Sequence, residues 1–93
     1  MYQWDEEKAK QNAVKHSVTF EFATRIFNDT KRVTVIDNRF DYEETRYIIL
    51  GKIEKRVYVV VYTLRQSLDD CTITRIISAR KANSREVKHY DNN

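Results

Sequence analysis

The chain contains no proline and one glycine, Gly51, in 93 residues. Proline and glycine interrupt regular structure and supply flexible joints. A chain this poor in both must pass from one element to the next through short connections built of ordinary residues. It has no composition for a linker, and it is well below the length at which chains divide. The expectation is therefore one domain over residues 1–93, with one modest core.

The hydrophobic period divides the chain in two. Residues 5–16 read as a helix, with Asp5, Glu6 and Glu7 in the first turn and Lys15 and His16 in the last, the charge order that a helix dipole favours. Thr19 is a good N-cap for a second helix, with Val18 and Ala23 placed as a hydrophobic staple. Phe20, Ala23, Ile26 and Phe27 then recur at helical spacing until Asn28-Asp29-Thr30 stops the pattern. From Arg32 the period becomes two. Strands are predicted over Arg32–Asp37, Arg46–Glu54, Arg56–Leu64 and Thr72–Ser78, with Asn38–Glu44 a loop and Glu54-Lys55 and Gln66–Asp70 turns. The Val57–Tyr62 run is nearly all apolar, as in a central strand covered on both faces. Gly51 inside its strand suggests a bulge or a close backbone approach. Asn83-Ser84-Arg85-Glu86 is a capping-box pattern that opens a short last helix, and Asp91-Asn92-Asn93 frays. The expected fold class is α+β: two N-terminal helices, a four-stranded antiparallel sheet and a short C-terminal helix.

Several functions are set aside by composition. One cysteine, Cys71, makes no internal disulfide and implies no oxidising compartment. The acidic start, Met1 to Glu7, lacks the apolar run of a signal peptide, and no stretch approaches the roughly 20 apolar residues of a membrane span. A cytoplasmic protein without membrane association is expected. His16 and His89 stand far apart and do not make a zinc site with Cys71, and one glycine cannot build a phosphate or dinucleotide loop. No metal and no cofactor are expected. The carboxylates at Asp5-Glu6-Glu7 and Asp41-Glu43-Glu44 read as solvated surface.

Charge is unevenly divided. Residues 1–45 carry seven Lys/Arg against nine Asp/Glu, and residues 46–93 carry ten against five. A basic C-terminal half suits a polyanion, although a solvated basic face without a ligand has the same composition. The densest part is Arg75-Ile76-Ile77-Ser78-Ala79-Arg80-Lys81-Ala82-Asn83-Ser84-Arg85-Glu86. Arg75 shares strand parity with Ile73 and Ile77, so it should face the core, either at the strand's edge or paired with an acid. Cleaving RNA without a metal requires a base for the 2′-hydroxyl, an acid for the leaving 5′-oxygen, and cations for the phosphorane. Arg80 and Lys81 can clamp the anion, while His16, Tyr62 and Tyr90 can carry protons. That inventory permits RNA cleavage without demanding it.

Spaced motifs carry a resemblance. Trp4-Asp5-Glu6-x-Lys8-x-x-x-Asn12-x-x-Lys15-His16-x-Val18-x-Phe20-Glu21-x-Ala23 is followed in register by Phe27-x-Asp29, Tyr42-x-Glu44-x-Arg46 and Gly51. Val59-Val60-Val61-Tyr62-Thr63 and Arg75-Ile76-Ile77-Ser78-Ala79-Arg80-Lys81-Ala82 complete the series. Together these resemble the BrnT family of type II toxins, over about residues 4 to 90. The resemblance implies a RelE-like fold and a metal-independent endoribonuclease that arrests growth by degrading RNA. It also implies a BrnA-like antitoxin with a ribbon-helix-helix domain, through which alone operator DNA is bound.

On that basis Arg80 and Lys81 are expected to bind the scissile phosphate, with His16 or Tyr62 assisting proton transfer. Arg46, Arg75 and Arg85 are expected RNA contacts, though Arg46 and Arg75 can also pair with an acid such as Glu44. Glu86 reads as a cap rather than a catalyst, Trp4 as a core anchor, and Cys71 as without a role. The chain departs from the family pattern at Ser17, where glycine is usual, at Glu54-Lys55, where Asp-Gly is usual, and in a longer Leu64–Cys71 loop. The Ser17 change sits beside His16 and is expected to alter the backbone there. The alternative function is a module that binds nucleic acid without cutting it, or a degenerate toxin that only binds its antitoxin.

Overall fold

The computed structural model describes residues 1–39 and 43–93. Tyr42 of the Tyr42-x-Glu44-x-Arg46 motif and Asp41 of the second carboxylate cluster lie outside the described residues. The elements are β1 (Tyr2–Gln3), α1 (Glu6–His16), α2 (Phe20–Ala23) running into a 3-10 helix (Thr24–Asn28), β2 (Val33–Asp37), β3 (Arg46–Ile53), β4 (Arg56–Gln66), β5 (Thr72–Lys81) and α3 (Ser84–Asp91).

The α+β class holds, with a correction to both parts of the prediction. The sheet is five-stranded and mixed, in the order β1-β5-β4-β3-β2, because Tyr2–Gln3 pairs parallel to β5 at Thr74 and Arg75. Two residues have no measurable period, so nothing in the sequence marks them as a strand. The second helix holds α geometry for only four residues, then tightens to 3-10 over the next five. Among the described residues no helix is long and apolar enough to cross a membrane.

One face of the sheet is covered by the N-terminal helices, and the other only at the end where α3 packs. On one, Ile49, Val60, Ile76 and Ala79 bury against Val18, Phe20, Ala23 and Ile26, with Trp4 edge-on to Phe20 at 6.0 Å. On the other, Leu50, Val57 and Val59 pack with Tyr90 and Val87 of α3. Gly51 lies on the first face with no register break in β3, so it marks a close approach rather than a bulge. A Cβ there would stand 2.5 Å from Ile26 Cγ1.

Helix α1 closes the edge of β5 that β1 leaves uncovered. The Asn12 carboxamide donates to Ala79 O (2.8 Å) and Val18 O (2.9 Å) and accepts from Ala79 N (3.1 Å). One side chain thus replaces a missing strand neighbour and satisfies buried backbone groups that would otherwise be unpaired. It also fixes the C-terminal turn of α1 beside β5, which is what positions His16. At the opposite corner Asp29 accepts from Lys52 N (2.7 Å), Lys31 N (2.9 Å) and the Tyr90 hydroxyl, tying α3 to β3.

Candidate active site

Arg80 leaves β5 on the α3 side of the sheet, paired in register with Val59. Its guanidinium meets both Glu86 oxygens at 2.8 Å. The position of Glu86 follows from the predicted capping box: Asn83 Oδ1 accepts from Glu86 N (2.9 Å) and Glu86 Oε1 accepts from Asn83 N (2.8 Å). The same carboxylate therefore caps α3 and orients Arg80. Hydrogen bonds from Arg80 hold the Glu86 carboxyl below its ordinary value against the upward push of burial, aided by the Asn83 N–H. The bond to Glu86 raises Arg80 in turn, against desolvation. Both groups are charged at neutral pH.

His16 faces this pair from the last turn of α1. Ser17 takes the left-handed conformation (φ 59°) that favours glycine, and its N–H reaches Ala13 O at 2.9 Å. The helix end thus keeps its cap with serine in that conformation. Lys15, His16, Arg39, Ser78, Arg80 and Glu86 line one cleft of about 350 Å³, floored by Ile48, Val59 and Val61. The structure thus brings His16 and Arg80 together. Its polar wall supplies a fixed guanidinium, an ammonium and an imidazole over an apolar floor, which suits a phosphodiester with its bases laid on the sheet.

The other expected residues are distributed by strand parity. Arg75 lies on the same face as Arg80, opposite Thr63, because β5 carries one extra residue, Ile77, between the pairs Val61↔Ser78 and Tyr62↔Ile76. That bulge overturns the unbroken parity from which Arg75 was expected to face the core: Ile76 is buried in its place, 2% exposed. Arg75 donates to Gln3 Oε1 at 2.8 Å and lines a small cleft with Asp5, Lys8, Glu44, Arg46 and Arg65. Arg46 pairs with Glu44 at 3.1 Å. Arg85, on α3, borders a groove of about 290 Å³ lined by Val33, Val35, Ile48, Leu50, Glu86 and His89.

Tyr62 and Lys81 are not in the cleft. Tyr62 is in the core on the α2 side, 9% exposed, stacked on Tyr47 at 5.3 Å and edge-on to Phe27 at 5.2 Å. Burial pushes its hydroxyl above the ordinary tyrosine range. Lys81 is exposed and pairs in register with Tyr58, which packs on that same core. Sequence reasoning missed Lys8, Lys15, Arg39, Arg65, Ser78 and the second role of Glu86. Ser78 shares parity with Arg80 and Lys15 adjoins His16, so both were findable. Arg65 and Arg75 join one site only through the bulge.

No curated protein matches the chain. The family model described as the ribonuclease toxin, BrnT, of type II toxin-antitoxin system matches residues 4–86, and the chain belongs to this family.

Proposed function

We propose that residues 1–93 form a single RelE-like toxin domain that cleaves RNA without a metal, in the cytoplasm, at the cleft between His16 and Arg80. The observation that carries this reading is the convergence of those two side chains, from separate elements, on one open cleft. On this reading His16 takes the proton of the 2′-hydroxyl as the 2′-oxygen attacks phosphorus. The bond from phosphorus to the 5′-oxygen breaks, and the leaving oxygen takes its proton from solvent, giving a 2′,3′-cyclic phosphate and a 5′-hydroxyl. Arg80, held in orientation by Glu86, stabilises the charge that develops on the non-bridging oxygens. Lys15 adds a second cation. Lys81 and Tyr62, expected at the phosphate and the proton, lie on the other side of the sheet and take no part on this reading, while Arg46, Arg75 and Arg85 hold RNA.

The regulatory partner on this reading is a BrnA-like antitoxin with a ribbon-helix-helix domain, which occupies the basic face and links the complex to operator DNA. The rival, a module that retains RNA uncut, draws on the same ion pair: Glu86 already engages the Arg80 fork. Expression in a bacterial host separates them. Growth arrest by the wild type, relieved by Arg80→Ala and by co-expressed antitoxin, is the expected result. Unimpaired growth with well-expressed, folded wild type would contradict a toxin.

A further inference from the structure

The cleft around Arg75 repeats the construction of the Arg80 cleft on the same sheet face. Glu44 holds two arginines there, Arg46 Nε at 3.1 Å and an Arg65 guanidinium nitrogen at 3.6 Å, as Glu86 holds Arg80. Arg75 stands beside them and Lys8 reaches in from α1. Among the described lining residues four cations face two carboxylates, and one of these, Asp5, already accepts from the N–H groups of Glu7 and Lys8. The Arg65 side chain is 50% exposed, so its fork is open to an incoming group. Planar forks in a surplus of positive charge take the oxygens of a phosphate, bidentately where the approach allows.

The spacing of the two clefts fits one strand of RNA. Arg80 pairs with Val59 and Arg75 with Thr63, four steps along β4, which is roughly 13 Å at strand rise. Between them lie the half-buried, uncharged Val61, Ile77 and Ser78, a surface on which bases can rest. We propose that Arg65 and Arg75, with Lys8 and Arg46, form a second phosphate site that holds the RNA strand a few nucleotides from the phosphate seated at Arg80. The substrate is then a single strand long enough to reach both clefts. This rests on the ribonuclease reading for its substrate, and its test is independent of cleavage.

The probe is a fluorescent 2′-O-methyl RNA octamer, which cannot be cut by its own 2′-oxygen, titrated by anisotropy across a salt series. Arg65→Ala and Arg75→Ala should each weaken binding about tenfold and flatten the plot of log K against log salt by about 0.7. Arg75→Lys should keep most of that slope, which excludes misfolding as the cause. Arg25→Ala, in the 3-10 helix on the opposite face, where Arg25 pairs with Glu54 at 3.7 Å, is the charge control and should bind as the wild type does. The proposal is overturned if Arg65→Ala and Arg75→Ala bind like the wild type, or if Arg25→Ala loses as much as they do. Cleavage of the matching unmodified RNA is read separately: intact RNA together with the expected slopes would overturn the ribonuclease reading and leave the second site standing.

Discussion

Arg80 and Glu86 are joined by two hydrogen bonds of 2.8 Å, one from each terminal guanidinium nitrogen, across the turn between β5 and α3. The pair lies partly open, with side chains 39% and 25% exposed, so its value for stability is modest, about 1 kcal/mol or less once solvent screening is counted. Its larger effect is to fix the direction of the guanidinium that the proposed chemistry uses.

Glu86→Gln should keep the capping box, since glutamine also serves at that helix position, but lose the charged clamp. The folded Glu86 value is depressed, so its contribution is fully present above the ordinary glutamate value of about 4.3 and is lost as pH falls through the lower folded value. Urea midpoints should therefore show wild type above Glu86→Gln at pH 6, with the gap closing towards pH 3. A gap that stays constant across that range would contradict the assignment.

Ser17→Gly should stabilise the protein by about 0.5–1 kcal/mol, because glycine adopts the positive φ without the Cβ penalty. Chemical denaturation measures this directly. Loss of stability would show that the Ser17 side chain, rather than its backbone, holds the end of α1.

Gly51→Ala should cost about 1–3 kcal/mol, since the added Cβ would meet Ile26, a fully buried side chain. Ile26→Val in the same chain should recover part of that loss, giving a coupling term in a double-mutant cycle. Strict additivity would place the strain elsewhere.

Tyr90 should be the last tyrosine to ionise. Burial, with the Asp29 hydrogen bond and charge beside it, pushes its hydroxyl up to about 12. A folded value above the unfolded one of about 10 means that this stability is present below pH 10 and lost as pH rises through the folded value. Spectrophotometric titration should show a late step that Tyr90→Phe removes. If that step survives the substitution, the hydroxyl is not held as described.

The change of period near Asn28 and the capping box at Asn83 were legible because each is a local rule read from side chains a few residues apart. What escaped depends on partners distant in sequence. The two residues of β1 are a strand only because β5 offers an edge, and Asn12 is a structural residue only because Ala79 needs a neighbour. Ile77 hides a bulge that looks like ordinary alternation, so the face of Arg75 came out inverted. The apolar run Val57–Tyr62 does announce a central strand, but Tyr62 reads there as a proton carrier, and its place under α2 follows only from the helix packed over that side. His16 and Arg80 could be named from sequence, but their meeting required α1 to dock along β5.

The most direct test is incubation of purified, antitoxin-free protein with total RNA in excess EDTA, alongside Arg80→Ala and His16→Ala. Fragments ending in 2′,3′-cyclic phosphates are expected from the wild type, with cleavage reduced about 10²–10³-fold by either substitution. RNA left intact by folded wild type that still binds it, or cut equally well by both variants, would contradict the assignment of this cleft.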